Sequence, residues 1–291
     1  MASTTTDASA AGILTLGGDL EVRRLGFGAM RITGEGIWGP PADREGATAV
    51  LRRAVELGVN FIDTADSYGP EVSEELIAEA LHPYPGGLVI ATKGGLTRPR
   101  PGRWERDCRP EHLREACEGS LRRLRLERID VYQLHAVDRR VPLEESVGAL
   151  AELRDQGKIA HVGLSNVDTA ELERAREIVP VVSVQNRYSV AERDSEPVLD
   201  RCEREGLAFI PWGPLRAVGV GREGVIGRVA DAHGASDVQV ALAWLLARSP
   251  AMLPIPGTSS VEHLEENVAA AGLRLSEEEF TELSAAGPLS R

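Results

Sequence analysis

Between residues 25 and 271 the chain alternates eight times between a short apolar run and a longer amphipathic one, with no linker or internal repeat. The short runs read as strands near 25–28, 59–63, 88–93, 129–135, 158–164, 181–186, 207–212 and 252–256. The longer ones read as helices near 43–57, 72–82, 110–125, 142–156, 168–178, 195–205, 236–248 and 260–271. Leu88-Val89-Ile90-Ala91 and Ile129-Asp130-Val131-Tyr132 are almost wholly apolar, as parallel strands covered on both faces must be. The simplest α/β fold for such a series is one closed (β/α)8 TIM barrel, with a doubly wound open sheet as the alternative.

Local chemistry predicts several boundaries. Pro110 and Pro142 suit first helical turns, where the missing N–H costs nothing. Gly58, Gly157 and Gly206 each follow a helix and suit a left-handed cap. In the third helix Leu113, Ala116, Cys117, Ser120, Leu121 and Leu124 share one face, away from the arginines. Ahead of the alternation, Ile13–Leu16 and Leu20–Arg23 flank Gly17-Gly18 and read as a β-hairpin. Residues 1–11 are expected to be a disordered tail and 12–291 a single domain, with extra helices near 223–233 and 276–285.

A net charge of −12 argues against sequence-independent nucleic-acid binding, which needs a basic face. No stretch approaches the ~20 apolar residues of a membrane span. Ala2 to Ala10 has neither the basic region nor the apolar run of a signal peptide. The three cysteines, Cys108, Cys117 and Cys202, form no CxxC pair and no metal-ligand spacing. These features point to a cytoplasmic protein with reduced thiols, no membrane or nucleic-acid partner, and no metal. No oligomer interface is identifiable.

Four polar side chains fall at or just beyond the C-terminal ends of successive strands: Asp63, Tyr68, Lys93 and His135. In a parallel barrel those ends converge on one mouth, where chemistry sits. Singly, each has a plainer role: a turn cap for Asp63, loop packing for Tyr68, a solvated strand end for Lys93, a rim histidine for His135. Together they suit carbonyl reduction. Hydride addition leaves an alkoxide that needs a proton, which a phenol can give. An adjacent ammonium is expected to lower the phenol pKa below its usual value near 10. Asp63 would hold Lys93 charged, and His135 would orient the carbonyl oxygen.

The segment Asn60-Phe61-Ile62-Asp63-Thr64-Ala65-Asp66-Ser67-Tyr68-Gly69, with Lys93 and His135 following in order, resembles the Asp, Tyr, Lys, His tetrad of the aldo-keto reductase family. The likeness runs over about residues 12–272 and is to the bacterial NADP-dependent type. It implies a (β/α)8 barrel whose N-terminal hairpin closes the bottom. The implied reaction is NAD(P)H-dependent reduction of aldehydes and ketones, with Tyr68 as general acid.

The resemblance also implies a cofactor site. Ser165, Asn166 and Gln185 would bind the nicotinamide amide, although Ser165-Asn166 also reads as a helix cap. Trp212 replaces the family's usual tyrosine in stacking on the ring, unless it is a core residue. Gly28, Ala29 and Met30, then Gly213, Pro214, Leu215 and Arg216, belong to the same site. Gly219 to Gly224 spells GxGxxG but follows no strand directly, so it reads as a loop over the pyrophosphate, with Arg216 and Arg222 as cations. Gly257, Thr258, Ser259, His263, Glu266 and Asn267 form the adenosine-phosphate segment, with hydroxyls at a helix N-terminus. Gly257 stands where many NADP-dependent members carry lysine, and His263 where they carry arginine. NADPH is the expected cofactor and NADH the alternative.

Trp38, Trp104 and Val137 are expected to line an open pocket for a small hydrophobic or aromatic carbonyl substrate. Two other functions fit parts of the pattern: a Schiff-base aldolase using Lys93, and a cofactor-sensing barrel without turnover.

Overall fold

Capping chemistry sets where the helices begin. The computed structural model describes residues 7–215 and 224–286. Within these, Asp43 accepts the Gly46 N–H at 2.8 Å and starts α1 (Arg44–Glu56). Its buried face carries Ala47, Val50, Leu51 and Ala54, at helical spacing. The order is then β1 (Ile13–Leu16), β2 (Leu20–Arg23) and β3 (Phe27–Gly28) before α1, and β4 (Phe61–Asp63), α2 (Val72–Leu81) and β5 (Val89–Gly94) after it. The antiparallel pair β6 (Leu96–Arg100) and β7 (Arg103–Arg106) follows, a hairpin the alternation does not foreshadow. Next come α3 (Pro110–Leu124), β8 (Ile129–Leu134), α4 (Leu143–Asp155), β9 (Ile159–Ser165), α5 (Thr169–Arg176), β10 (Val181–Arg187), α6 (Glu196–Glu205) and β11 (Ala208–Trp212). The last elements are α7 (Val225–His233), α8 (Asp237–Arg248), α9 (Val261–Ala269) and α10 (Glu277–Ala285). Pro110 opens α3 as expected, whereas Pro142 caps α4 from one residue outside it. Gly58, Gly157 and Gly206 all have positive φ.

Seven strands form one parallel sheet in the order β11-β10-β9-β8-β5-β4-β3. The eighth expected strand, 252–256, is reduced to a single bridge between Phe209 and Met252. Pro254 and Pro256 have no N–H to donate, so a regular ladder cannot form there. The segment still joins both edges. Phe209 N–H donates to Ala251 O at 2.8 Å, Leu253 N–H to Phe209 O at 2.9 Å, and Gly26 N–H to Pro254 O at 2.9 Å. The sheet therefore curls onto itself as a barrel.

Alternation along the strands separates two cores. Phe61, Val89, Ala91, Val131, Val182, Ala208, Ile210, Leu253 and Ile255 fill the barrel interior. Outward residues such as Ile62, Ile90, Tyr132 and Val162 pack under the helices. Full burial of each such side chain contributes about 1.5–3 kcal/mol. The β1–β2 hairpin adds Leu16 and Val22 to the interior group. Its strand β2 is tied to the start of β4, where Asn60 Nδ2 donates to Glu21 O at 2.9 Å and Asn60 Oδ1 accepts the Arg23 N–H at 2.7 Å. Gly17 has φ +62°, and a Cβ there would collide with the His161 ring, so the turn requires glycine.

Residues 8–11, expected within a disordered tail, form a 3-10 turn capped by Asp7. Ala8 is buried and donates its N–H to Leu57 O at 2.9 Å, and Arg274 donates to Ala10 O at 2.7 Å. Contacts from distant elements order a segment whose own composition would not. Arg216, Arg222 and most of the GxGxxG stretch lie outside the described residues. All three cysteines are buried and free. Among the described residues, no helix is long and apolar enough to cross a membrane.

Candidate active site

Asp63 ends β4 and Lys93 lies near the end of β5, both on the inward side of the pleat. The Lys93 ammonium is fully buried and donates to Asp63 Oδ2 at 2.6 Å, Thr64 O at 2.8 Å and the Tyr68 hydroxyl at 3.4 Å. It also sits 5.1 Å from the Tyr68 ring centroid. The His135 ring meets Tyr68 edge-on, with centroids 5.8 Å apart, and Ser67 Oγ lies 3.4 Å from its Nδ1. The strand-end pattern thus brings all four expected groups together.

The second carboxylate oxygen of Asp63 accepts from Gln185 Nε2 at 2.7 Å and Gln133 Nε2 at 3.1 Å. Gln133 is not among the residues expected from the sequence. Its signal was the two-residue period, since Gln133 shares the inward phase of β8 with His135 and pairs in register with Lys93.

Burial changes the expected electrostatics. It works against the Lys93 ammonium, but Asp63 and then Tyr68 outweigh it and raise the lysine pKa. For Tyr68 burial is the largest influence and raises the phenol pKa, with Lys93 pulling the other way and losing. The expectation of a lowered phenol pKa is therefore corrected: removing a phenolate from water costs more than one ammonium at 3.4 Å returns. Burial, reinforced by Lys93, pushes His135 well below the usual imidazole range. At neutral pH the site holds a protonated phenol, a protonated amine and a neutral imidazole.

Asp63, Tyr68 and His135 line a cavity of about 910 Å³, while Lys93 is buried and does not reach it. Gly28, Met30, Ser165, Asn166, Gln185, Trp212, the Gly213–Leu215 turn and Gly257 all line it. The cap of α5 comes from Asp168, in a capping box with Glu171, so the helix-cap role considered for Ser165 and Asn166 falls away. Asn166 instead has φ +57° and accepts from Trp212 Nε1 at 2.9 Å while donating to His135 O at 3.0 Å. The guanidinium of Arg187 lies 4.5 Å above the Trp212 ring. Trp104, on β7, lines the cavity beside Tyr68. Trp38 stacks on Arg98, which also faces Trp104, and Val137 lines a neighbouring groove with Asn166 and Trp212. Neither Trp38 nor Val137 is among the residues lining the cavity itself.

Gly28, in register with Asp63, and Gly257 press backbone on backbone in the cavity wall. A Cβ on Gly28 would lie 2.7 Å from Ile255 O, and one on Gly257 would collide with Gly28 O. Arg31, not anticipated from the sequence, also lines the cavity, with its Cγ 3.6 Å from where a Gly257 Cβ would be. Beyond Gly257, Thr258 Oγ1 accepts the Ser260 N–H at 3.0 Å, and Ser260 caps α9. Ser259 and His263 are exposed there, with Glu266 and the buried Asn267 further along the helix. Ala29 is buried beside the cavity wall and accepts from Ser73 Oγ at 3.1 Å.

Residues 24–287 match the family described as the aldo/keto reductase family. The chain belongs to this family. As an aldo/keto reductase it is 50% identical over 287 residues to an uncharacterised oxidoreductase of Schizosaccharomyces pombe, a match covering 98% of this chain and 93% of that protein. It is 45% identical over 272 residues to pyridoxine 4-dehydrogenase of Escherichia coli, covering 91% and 95% of the two chains. A thermostable aldo-keto reductase crystallised with the inhibitor epalrestat superimposes with a TM-score of 0.84 at 33% identity, over 94% of this chain and 99% of that one. An aldo-keto reductase of Klebsiella pneumoniae in complex with NADPH gives 0.79 at 29% identity, over 96% of both chains. This aldo/keto reductase is accordingly an oxidoreductase with the barrel fold of its family.

Proposed function

We propose that this protein reduces aldehydes and ketones to alcohols with NADPH, using Tyr68 as general acid. The observation that carries the reading is the contact of the Tyr68 hydroxyl with the buried Lys93 ammonium, itself paired with Asp63, beside a cavity that Tyr68 and Asp63 line. The Klebsiella relative that binds NADPH and the curated oxidoreductases add support. The β1–β2 hairpin, whose Leu16 and Val22 join the interior core, would close the bottom of the barrel.

The residues fit a dinucleotide. The cavity volume lies within the ~300–1,000 Å³ usual for ligand sites, and Gly28 and Gly257 bring bare backbone to its wall. Ser165, Asn166 and Gln185 would hold the carboxamide, and Trp212 would flank the ring. A reduced nicotinamide, when bound, supplies the hydride. Tyr68 gives its proton to the substrate oxygen, and Lys93 stabilises the phenolate that results. A Ser67 Oγ–H donated to Nδ1, 3.4 Å away, would leave the proton of neutral His135 on Nε2, from which it would be donated to the substrate carbonyl. Lys93 is protonated and paired, which disfavours a Schiff-base role needing a free amine.

Arg31 is our candidate for the cation facing the cofactor's phosphates, because Gly257 has no space for a lysine side chain. Titrating NADPH and NADH while following tryptophan fluorescence tests both points. Quenching with a micromolar Kd is expected for NADPH, and the reading fails if neither nucleotide binds in that range. Arg31→Met should weaken NADPH roughly 10–100-fold, as expected for loss of a charge-assisted hydrogen bond. An equal loss for NADH would place Arg31 on the pyrophosphate, and a loss confined to NADPH on the 2′-phosphate. Pyridoxine with NADP⁺, and its aldehyde with NADPH, are the first substrates to assay, given the 45% identical relative named for pyridoxine oxidation.

A further inference from the structure

Tyr68 sits on a turn with an unusual brace. Asp66 O accepts the Glu71 N–H at 2.6 Å, closing residues 66–71 into a compact loop, and Tyr68 O accepts the Ser73 N–H at 3.1 Å. Glu71, the residue before α2, has φ +69° and ψ −29°, a conformation strained for a side chain with a Cβ. Such strain persists only where the surroundings over-determine it.

What holds it comes from the helix side of the sheet. Arg123, in the last turn of α3, donates through Nη1 to Glu71 Oε1 at 3.1 Å and through Nε to Glu74 Oε2 at 2.7 Å. Its Nη2 also reaches Ser120 Oγ at 3.4 Å. Glu74 is fully buried, and its other oxygen accepts from Thr92 Oγ1 at 2.5 Å. Thr92 immediately precedes Lys93 and points to the opposite side of the pleat. One guanidinium therefore links the turn that carries the phenol to the strand that carries the ammonium. The distance it governs has little margin, since 3.4 Å is already at the long end for a hydrogen bond.

We infer that Arg123, outside the cavity, is a positioning residue for Tyr68: through Glu71 and Glu74 it holds the strained turn that keeps the phenol on Lys93. This rests on the reductase reading above. Its loss should act on proton delivery and leave cofactor binding alone.

Glu71 permits a test with little risk to folding, because its side chain is 59% exposed. Glu71→Ala removes the tether but keeps the unfavourable φ, so the turn should relax. Glu71→Gly removes the tether and the strain together, so the turn should stay. The expected results are a kcat lowered between about 10- and 100-fold for Glu71→Ala, the scale of a misplaced reacting group, and a near-parental kcat for Glu71→Gly. NADPH Kd should be unchanged in both. The solvent deuterium isotope effect on kcat should rise in Glu71→Ala, which a merely structural role would not cause. Arg123→Lys, with one ammonium for two carboxylates, should fall between Glu71→Ala and the parent. Arg123→Met with Glu74→Gln, if folded, should match Glu71→Ala.

The ultraviolet titration of the Tyr68 phenol, isolated by difference from Tyr68→Phe, needs no turnover. In Glu71→Ala it should shift from the parental position as the phenol leaves Lys93 and its buried setting. If the parent turns over in a Tyr68-dependent way but kcat, isotope effect and phenol titration are all parental in Glu71→Ala and Arg123→Lys, the inference is overturned. A parent without NADPH-dependent turnover would sink the reductase reading instead, and the phenol titration would still decide the role of Arg123.

Discussion

Tyr68→Phe is expected to lower kcat about 10²–10⁴-fold, the usual loss when a general acid is removed. The change deletes a single oxygen. The ring keeps its edge-on contacts with Trp104 and His135, so packing and NADPH affinity should hold. Stopped-flow turnover with NADPH, beside fluorescence titration of the cofactor, separates the two effects. An unaltered kcat would mean that another group delivers the proton. The pH profile is part of the same prediction. Burial raises the Tyr68 pKa above 10, so the proton-donating form persists through neutral pH and the basic limb of kcat/KM should begin only above pH 10. On the acid side, burial together with Lys93 holds His135 neutral to well below pH 6.5, so no loss from imidazole protonation is expected near pH 6.5.

Lys93→Met should cost both activity and stability. The ammonium has Asp63, the Thr64 carbonyl and the phenol around it, all in a fully buried setting. Methionine fills similar space but leaves Asp63 with only Gln133 and Gln185 as donors. Breaking a buried ion pair from one side costs about 3–5 kcal/mol, which calorimetry would read as a clear fall in Tm. Adding Asp63→Asn removes the orphaned charge and should recover part of that stability without recovering turnover. The linkage sign follows from the raised lysine pKa. The stabilisation is fully present below the ordinary lysine value of 10.5 and is lost as pH rises through the higher folded value. The parent should therefore lose stability above pH 10.5, and Lys93→Met should lack that part of the loss. A variant as stable as the parent at pH 7 would show that the pair contributes nothing net.

Helix positions were legible because their causes are local. Asp43, Pro110, Gly58, Gly157 and Gly206 act through backbone groups a few residues away, and the apolar faces repeat at helical spacing. The grouping of Asp63, Tyr68, Lys93 and His135 was legible for a related reason: parallel strands of one barrel present their C-terminal ends at one mouth, so order along the chain already implies proximity. The 252–256 segment misled because apolar composition does not reveal that two prolines remove the donors a ladder needs. The short turn at 8–11 was hidden because its order comes from Leu57 and Arg274, far away in the chain.

The residue order thus settled which elements form, which polar groups meet and which family the chain resembles, since each depends on short-range geometry or on strand-end position. Tertiary structure decided the rest. It set the direction of the Tyr68 pKa, because the depth of burial is a property of the whole barrel. It placed Gln133 on Asp63, Arg31 beside Gly257 and Arg123 on Glu71 and Glu74, because each contact joins segments whose separation no local pattern encodes.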